Sequence, residues 1–211
     1  MDSDTKYLTM DGVHVIPNFI GKESLDELKP LLLNGLDNWY LHLEKAENKT
    51  LSAMEIAKIK QNKATYGNNI LKLDHSEKSG NKDLYDAVAK YMANDKHEIE
   101  HLFGEIQPED KFGITVMLTG SLITPHTDEQ VFPQGLRTVN KMTLRDITSV
   151  CYLNDDYEGG ELCFDLLGIK IKPKAGTLVF FPTPKRYKHC VTTVTNGQRF
   201  SVSKFWNFKS S

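Results

Sequence analysis

The sequence predicts an α+β domain in which helices precede, and pack against, a β-sandwich or barrel. Three observations carry the prediction. The chain has 211 residues, 39% hydrophobic and 26% charged, the size and composition of one ordinary globular core. From Ser24 to about Ile106 apolar residues recur mostly at helical spacing. From Lys111 onward that period disappears, and short β-branched and aromatic runs alternate with turn residues.

The helical elements come first. Ser24 followed by Glu27 reads as a capping box, after which Leu25, Leu28, Leu31, Leu32 and Leu36 keep helical spacing, with Pro30 near the first turn. A second helix is expected from Leu51 to Gln61. A third is expected from Lys82 to Phe103, with Leu84, Val88, Tyr91 and Met92 on one face. Residues 66–69 and 74–81 carry Gly, Asn, Ser and Lys and read as loops.

Strands are expected at Phe112–Leu118, Thr148–Leu153, Glu161–Leu166, Ile169–Ile171, Thr177–Phe181, Cys190–Val194 and Phe200–Trp206. Gly, Pro and Asn punctuate them, and Asn196-Gly197 reads as a tight hairpin. The resulting organisation is a single domain over 1–211, with a mainly helical support over 1–110 and a mainly β core over 111–211.

Composition excludes several classes of function. Lys and Arg number 26 against 28 Asp and Glu, a net charge of −2 that suits neither nucleic acid nor an anionic membrane as main partner. No apolar run exceeds four residues, and the opening MDSDTKYLTM is acidic rather than leader-like. Three cysteines, Cys151, Cys163 and Cys190, are too few and too scattered for a disulfide framework or a thiolate zinc site. Buried free thiols and a reducing cytoplasm are the expectation.

Two motifs compete for a metal. His97-Glu98-Ile99-Glu100-His101 satisfies the H-E-x-x-H pattern of zinc peptidases, with both histidines on one helix face and Glu98 as general base. Charge on nearly every side of Asp95–His101 reads instead as a solvated helix surface. The other motif is His126-Thr127-Asp128 with His189. His126 and Asp128 follow a β-like run, and His189 precedes another strand. Two imidazoles and one carboxylate on one face form the 2-His-1-carboxylate triad of non-haem Fe(II) oxygenases, which leaves positions open for cosubstrate and O2. Arg199 lies on the next strand, and Ser201, two residues on, faces the same side. A guanidinium and a hydroxyl there could clamp the far carboxylate of a dicarboxylic cosubstrate.

With these residues in view, the sequence resembles the Fe(II)/2-oxoglutarate-dependent dioxygenases, specifically the prolyl 4-hydroxylase-like branch. The resemblance covers about Phe112 to Phe208. It rests on Pro125-His126-Thr127-Asp128, SVCYLNDDYEGGEL from Ser149 to Leu162, and IKPKAGTLVFFPT from Ile171 to Thr183. His189-Cys190-Val191 and NGQRFSVSKFW from Asn196 to Trp206 complete the set. The resemblance implies a double-stranded β-helix, the jelly roll or cupin-like fold, with the N-terminal helices packed on its major sheet. It implies that His126, Asp128 and His189 bind iron and that Arg199 holds the distal carboxylate of 2-oxoglutarate. Arg where collagen-type enzymes have Lys places the chain nearer the bacterial and oxygen-sensing types. Tyr152 matches a tyrosine that bonds the same carboxylate, with a core strand aromatic as the alternative. Trp206 matches an aromatic near the substrate mouth, with core packing as the alternative. Many relatives have a tyrosine nine or three residues before the metal His-x-Asp, where this chain has Met117 and Ile123. The connection Glu129–Asp146, with Phe132, Arg137, Lys141 and Arg145, is long enough to bind substrate, Arg137 being the residue singled out.

The implied activity is hydroxylation of an unactivated C–H bond, coupled to conversion of 2-oxoglutarate and O2 into succinate and CO2, with Fe(II) as cofactor and ascorbate as reductant. No protein nucleophile is needed. The leading substrate is a prolyl residue of a peptide or protein. A free amino acid or other small molecule, a zinc peptidase through His97, Glu98 and His101, and a non-catalytic jelly-roll binding module are the alternatives. The substrate and the oligomeric state are not legible.

Overall fold

Alternation along the C-terminal strands builds two facing sheets, because successive side chains point to opposite sides. The computed structural model describes residues 7–34, 39–41, 70–73, 82–108, 112–129 and 145–209. The expected helix at 51–61, the expected loops at 66–69 and 74–81, and residues 130–144 with Arg137 lie outside them.

The described elements run β1 (Leu8–Met10), β2 (Val13–Ile16), α1 (Lys22–Asn34), β3 (Trp39–Leu41), β4 (Ile70–Leu73), α2 (Lys82–Tyr91), α3 (Asp95–Phe103) and β5 (Ile106–Pro108). There follow β6 (Gly113–Leu118), β7 (Ile123–His126), β8 (Ile147–Tyr152), β9 (Glu158–Gly159), β10 (Leu162–Phe164) and β11 (Ile169–Ile171). The last are β12 (Leu178–Pro182), β13 (His189–Val191), β14 (Val194–Asn196) and β15 (Gln198–Phe208). The large sheet has the order β1-β2-β12-β8-β15-β6-β4-β3, with β5 on β15. The small sheet has the order β11-β10-β13-β7, and β14 pairs only with β9.

Each face of the large sheet is covered by its own set of apolar side chains. Leu28 and Leu32 of α1, Leu84 and Val88 of α2 and Ile99 of α3 pack on one face, against Ile114, Val116, Cys151, Leu178, Phe180, Phe200, Val202 and Trp206. The other face contributes Met117, Tyr152, Val179 and Phe181, which meet Leu162, Phe164, Ile171 and Val191 of the small sheet. This is the expected jelly-roll core with helices on its major sheet.

Several local expectations are corrected. Helix α1 begins at Lys22, where Leu25 N–H donates to the Gly21 carbonyl at 3.1 Å, so Ser24 lies inside the first turn and caps nothing. Glu27 instead accepts from the Tyr91 hydroxyl. Pro30 sits late in α1 on its exposed side, where water can take the carbonyl that a proline cannot bond. The expected third helix is two, α2 and α3, separated by a turn at 92–94 that brings Asp95, 1% exposed, to Lys204 Nζ at 3.2 Å. Among the described residues, the first 110 also contribute to the large sheet. They supply β1 to β5 to the large sheet, in strands of three or four residues that are too short to show a period of two. Asn196-Gly197 is not a hairpin: β14 and β15 do not pair, and the chain leaves one sheet for the other there, with Gly197 at φ +80°. The expected strand Cys190–Val194 is likewise split between β13 and β14.

Candidate active site

The triad is assembled from the small sheet. His126 ends β7 and His189 opens β13, and the two are cross-strand partners with ring centroids 4.5 Å apart. Asp128 follows in the turn after β7. Its Oδ1 lies 3.6 Å from His126 Nε2 and its Oδ2 lies 3.5 Å from His189 Nε2. One ligand atom from each residue fits within 4.8 Å of the others, and this is the only such group of three His, Cys, Asp or Glu side chains among the described residues.

Supporting contacts orient each donor. His126 Nδ1 donates to the Thr124 carbonyl at 2.9 Å, and His189 Nδ1 donates to the Tyr187 carbonyl at 3.0 Å. A carbonyl can only accept, so both Nδ1 atoms carry the proton and both Nε2 lone pairs face Asp128. Thr148 Oγ1 of β8 donates to Asp128 Oδ2 at 2.8 Å, tying the turn to the large sheet. Phe181 and Phe164 pack against the His189 ring, with centroids 4.8 and 5.6 Å away.

Burial lowers the pKa of His189, against the opposing pull of Asp128. Burial alone would raise Asp128, but His189, His126 and the Thr148 hydroxyl outweigh it and hold the carboxyl well below the usual range. Burial likewise opposes the charge on His126, and Asp128 outweighs it and raises that pKa. Two aimed imidazoles and an ionised carboxylate with the rest of the sphere open form a set that fits ferrous iron.

The large sheet brings a second group to the same inter-sheet space. Arg199 is 3% exposed, and its guanidinium lies 4.8 Å from the centre of the Tyr152 ring. Arg199 Nε donates to the Gly160 carbonyl at 3.1 Å, and Nη1 lies 3.4 Å from Met117 Sδ and 3.3 Å from Ser201 Oγ. Among the described residues no carboxylate pairs with this buried cation. Ser201 is the cross-strand partner of Tyr152 and shares a 3.1 Å hydrogen bond with Thr115 Oγ1. The hydroxyls of Tyr152 and Tyr157 are buried and make no hydrogen bond. A buried cation with orphaned donors around it suits an anionic guest, and a carboxylate is such a guest.

His126, Asp128 and His189 therefore come together, as do Arg199, Tyr152 and Ser201. Trp206 does not join them. It is fully buried in the helix-facing cluster, and its Nε1 donates to Ser149 Oγ at 2.9 Å, so the substrate-mouth expectation is corrected in favour of core packing. Seven positions separate it from Arg199 on one unbroken strand, and an odd interval puts it on the opposite face. Thr148 and Tyr157 were missed. Thr148 shares the parity of Tyr152 along β8 and could have been found by it, whereas Tyr157 lies outside any strand. The H-E-x-x-H segment forms part of α3, with His97 and His101 exposed while Glu98 is buried and accepts from the Tyr7 hydroxyl.

Comparison with known proteins agrees with this geometry. Residues 112–207 match the family model of the 2OG-Fe(II) oxygenase superfamily. Prolyl 3-hydroxylase 2 of Rattus norvegicus is 41% identical over 66 residues, which are 29% of this chain and 9% of that protein. The human protein of the same name is 39% identical over 66 residues. The chain thus spans only about a tenth of the length of these curated relatives. Among solved structures, a viral collagen prolyl hydroxylase of Paramecium Bursaria Chlorella virus-1, in its 2OG complex, superposes with a TM-score of 0.61 at 18% identity, covering 94% of this chain and 97% of that one. A Trichoplax adhaerens prolyl hydroxylase in complex with a hypoxia inducible factor peptide fragment gives 0.59 at 19% identity, covering 92% and 83%. Residues 112–207 thus match the 2OG-Fe(II) oxygenase superfamily, and the fold is the double-stranded β-helix of these solved prolyl hydroxylase structures.

Proposed function

We propose that the chain is an Fe(II)- and 2-oxoglutarate-dependent dioxygenase that hydroxylates a prolyl residue of a peptide or protein and releases succinate and CO2. One observation carries the reading: the His126–Asp128–His189 donor set, through His189 against Phe164 and Phe181, and the buried Arg199, against Met117 and Tyr152, adjoin the same apolar cluster between the two sheets. The peptide substrate is supported by the similarity to prolyl 3-hydroxylases and to a hydroxylase solved with a peptide fragment.

In this reading His126, Asp128 and His189 hold the metal. Arg199, Tyr152 and Ser201 hold the distal carboxylate of 2-oxoglutarate and so direct its keto acid end toward the triad. Bound Fe(II) supplies the O2 chemistry that couples decarboxylation of the cosubstrate to hydroxylation. The apolar walls, Phe164, Phe181, Val179 and Leu162, keep bulk water from that space. Ascorbate serves as reductant. The one domain spans 1–211, and the connection Glu129–Asp146, with Arg137 in it, contributes to substrate recognition. The free thiols of Cys151, Cys163 and Cys190 support a reducing, cytoplasmic setting.

The test is incubation with Fe(II), 2-oxoglutarate, O2 and a proline-containing peptide library, with mass spectrometry and succinate assay. The expected result is a one-oxygen gain on a peptide with matching succinate, both lost in His126→Ala and Asp128→Ala. Succinate release without peptide oxidation would move the substrate to a small molecule. Unaltered turnover in the triad variants would falsify the iron assignment.

A further inference from the structure

Tyr157 is not part of any strand, yet its place is built with care. It lies between two glycines in the left-handed region. A Cβ on Gly160, at φ +62°, would come 3.0 Å from Tyr157 Cε2 and 2.9 Å from Arg199 Cδ. A Cβ on Gly197, at φ +80°, would come 3.2 Å from Tyr157 Cα and 3.2 Å from its Cβ. Neither position tolerates a side chain without pushing on the tyrosine. Tyr157 is 5% exposed, and its hydroxyl has no hydrogen-bond partner.

The surroundings of that hydroxyl are one-sided. The Arg199 guanidinium lies beside it and beside Tyr152. Arg199 Nε and Nη1 are already bonded inside the protein, whereas no bond of Nη2 is found among the described residues. Three groups therefore converge with donors and no acceptor: one guanidinium edge, which can donate to a phenolic oxygen but accept nothing, and two phenolic O–H groups. Leaving buried donors unpaired is unfavourable, and a carboxylate, with about four acceptor sites on two oxygens, is the simplest group that satisfies all three.

We propose that Tyr157 is a second phenolic donor to the distal carboxylate of 2-oxoglutarate, acting beside Tyr152 and Arg199, and that it makes the site selective for dicarboxylic over monocarboxylic 2-oxo acids. The proposal rests on the 2-oxoglutarate reading of the site. In it Tyr157 touches the end of the cosubstrate remote from the metal, so its removal acts on binding and not on the metal set.

The test is calorimetric binding to Mn(II)-loaded protein under nitrogen, where no turnover intervenes. The ligands are 2-oxoglutarate and 2-oxopentanoate, which replaces the distal carboxylate by a methyl. Tyr157→Phe is expected to weaken 2-oxoglutarate about tenfold, the size of one hydrogen bond to a charged acceptor, and to leave 2-oxopentanoate within about twofold. The unliganded variant is expected to melt no lower than wild type, since it loses only an orphaned hydroxyl. An unchanged 2-oxoglutarate affinity, or equal weakening of both ligands, overturns the role of Tyr157. Failure of the wild-type protein to bind 2-oxoglutarate overturns the cosubstrate reading itself.

Discussion

Arg199 concentrates the electrostatics of this molecule, because it is a buried cation whose charge no described carboxylate answers. Removing one partner of a buried, hydrogen-bonded charge pair costs several kcal/mol, most of it in the dissociation rate. Arg199→Ala is therefore expected to raise the 2-oxoglutarate concentration needed for half-maximal succinate release by about 30-fold or more. A requirement that stays at the wild-type value removes Arg199 from the clamp. Gly160→Ala acts on the same side chain from behind, since its new Cβ would lie 2.9 Å from Arg199 Cδ, and it should weaken 2-oxoglutarate without touching metal affinity. Burial pushes the Tyr152 phenol up to about 12, against the pull of Arg199, so it remains a donor at every physiological pH. The sign of the linkage follows. The folded value lies above the unfolded value of about 10, so this contribution is fully present below pH 10 and is lost as pH rises through about 12. Melting temperature should fall over that window, and less so in Tyr152→Phe. Equal slopes in the two proteins would exclude the effect.

At the scale of elements, the long final strand does the most to place the site. One face of β15 presents Arg199 and Ser201 to the inter-sheet space, and the other gives Phe200, Val202 and Trp206 to the helices. That division was legible in the sequence, and applying the same parity to Trp206 would have kept it in the core. The groupings of His126, Asp128 and His189 and of Arg199, Tyr152 and Ser201 were legible because each depends on residue types at strand positions that two sheets then bring together. The three- and four-residue strands of the N-terminal half were not, since they are held by neighbouring strands rather than by their own pattern. Helix α1 shows the same dependence. Its apolar face matters more than its cap, for the expected Ser24 cap does not form while Leu28 is fully buried. Leu28→Ala should cost about 2–5 kcal/mol in urea unfolding, whereas Ser24→Ala should cost well under 1. Helix α3 turns Glu98 inward and His97 and His101 outward. Replacing both histidines by Ala is expected to leave metal content and turnover at wild-type levels, and a loss of bound metal would restore the peptidase reading.

For the whole molecule, the candidate site lies at the seam between two sheets, so a ligand bound there would bear on the stability of both. His126, Asp128 and His189 come from the small sheet side, whereas Arg199, Ser201 and Tyr152 come from the large sheet. Thr148 Oγ1 to Asp128 Oδ2, at 2.8 Å, and Arg199 Nε to the Gly160 carbonyl, at 3.1 Å, are direct polar links toward that seam. A metal held by the triad and a dicarboxylate reaching from it to Arg199 would add a continuous connection across the gap. Ligands that bind only the folded state stabilise it by RT ln(1 + [L]/Kd), about 2.7 kcal/mol at one hundred times Kd. For a chain of this size that is a rise of roughly 5–10 °C in melting temperature. Under nitrogen, Mn(II) alone should give part of the rise and Mn(II) with 2-oxoglutarate the whole. Asp128→Ala should lose both steps, because the cosubstrate needs the metal. Arg199→Ala should keep the metal step and lose most of the second. Two steps lost in these different ways require two linked half-sites, and a single rise that Arg199→Ala leaves intact would place 2-oxoglutarate somewhere other than between the sheets.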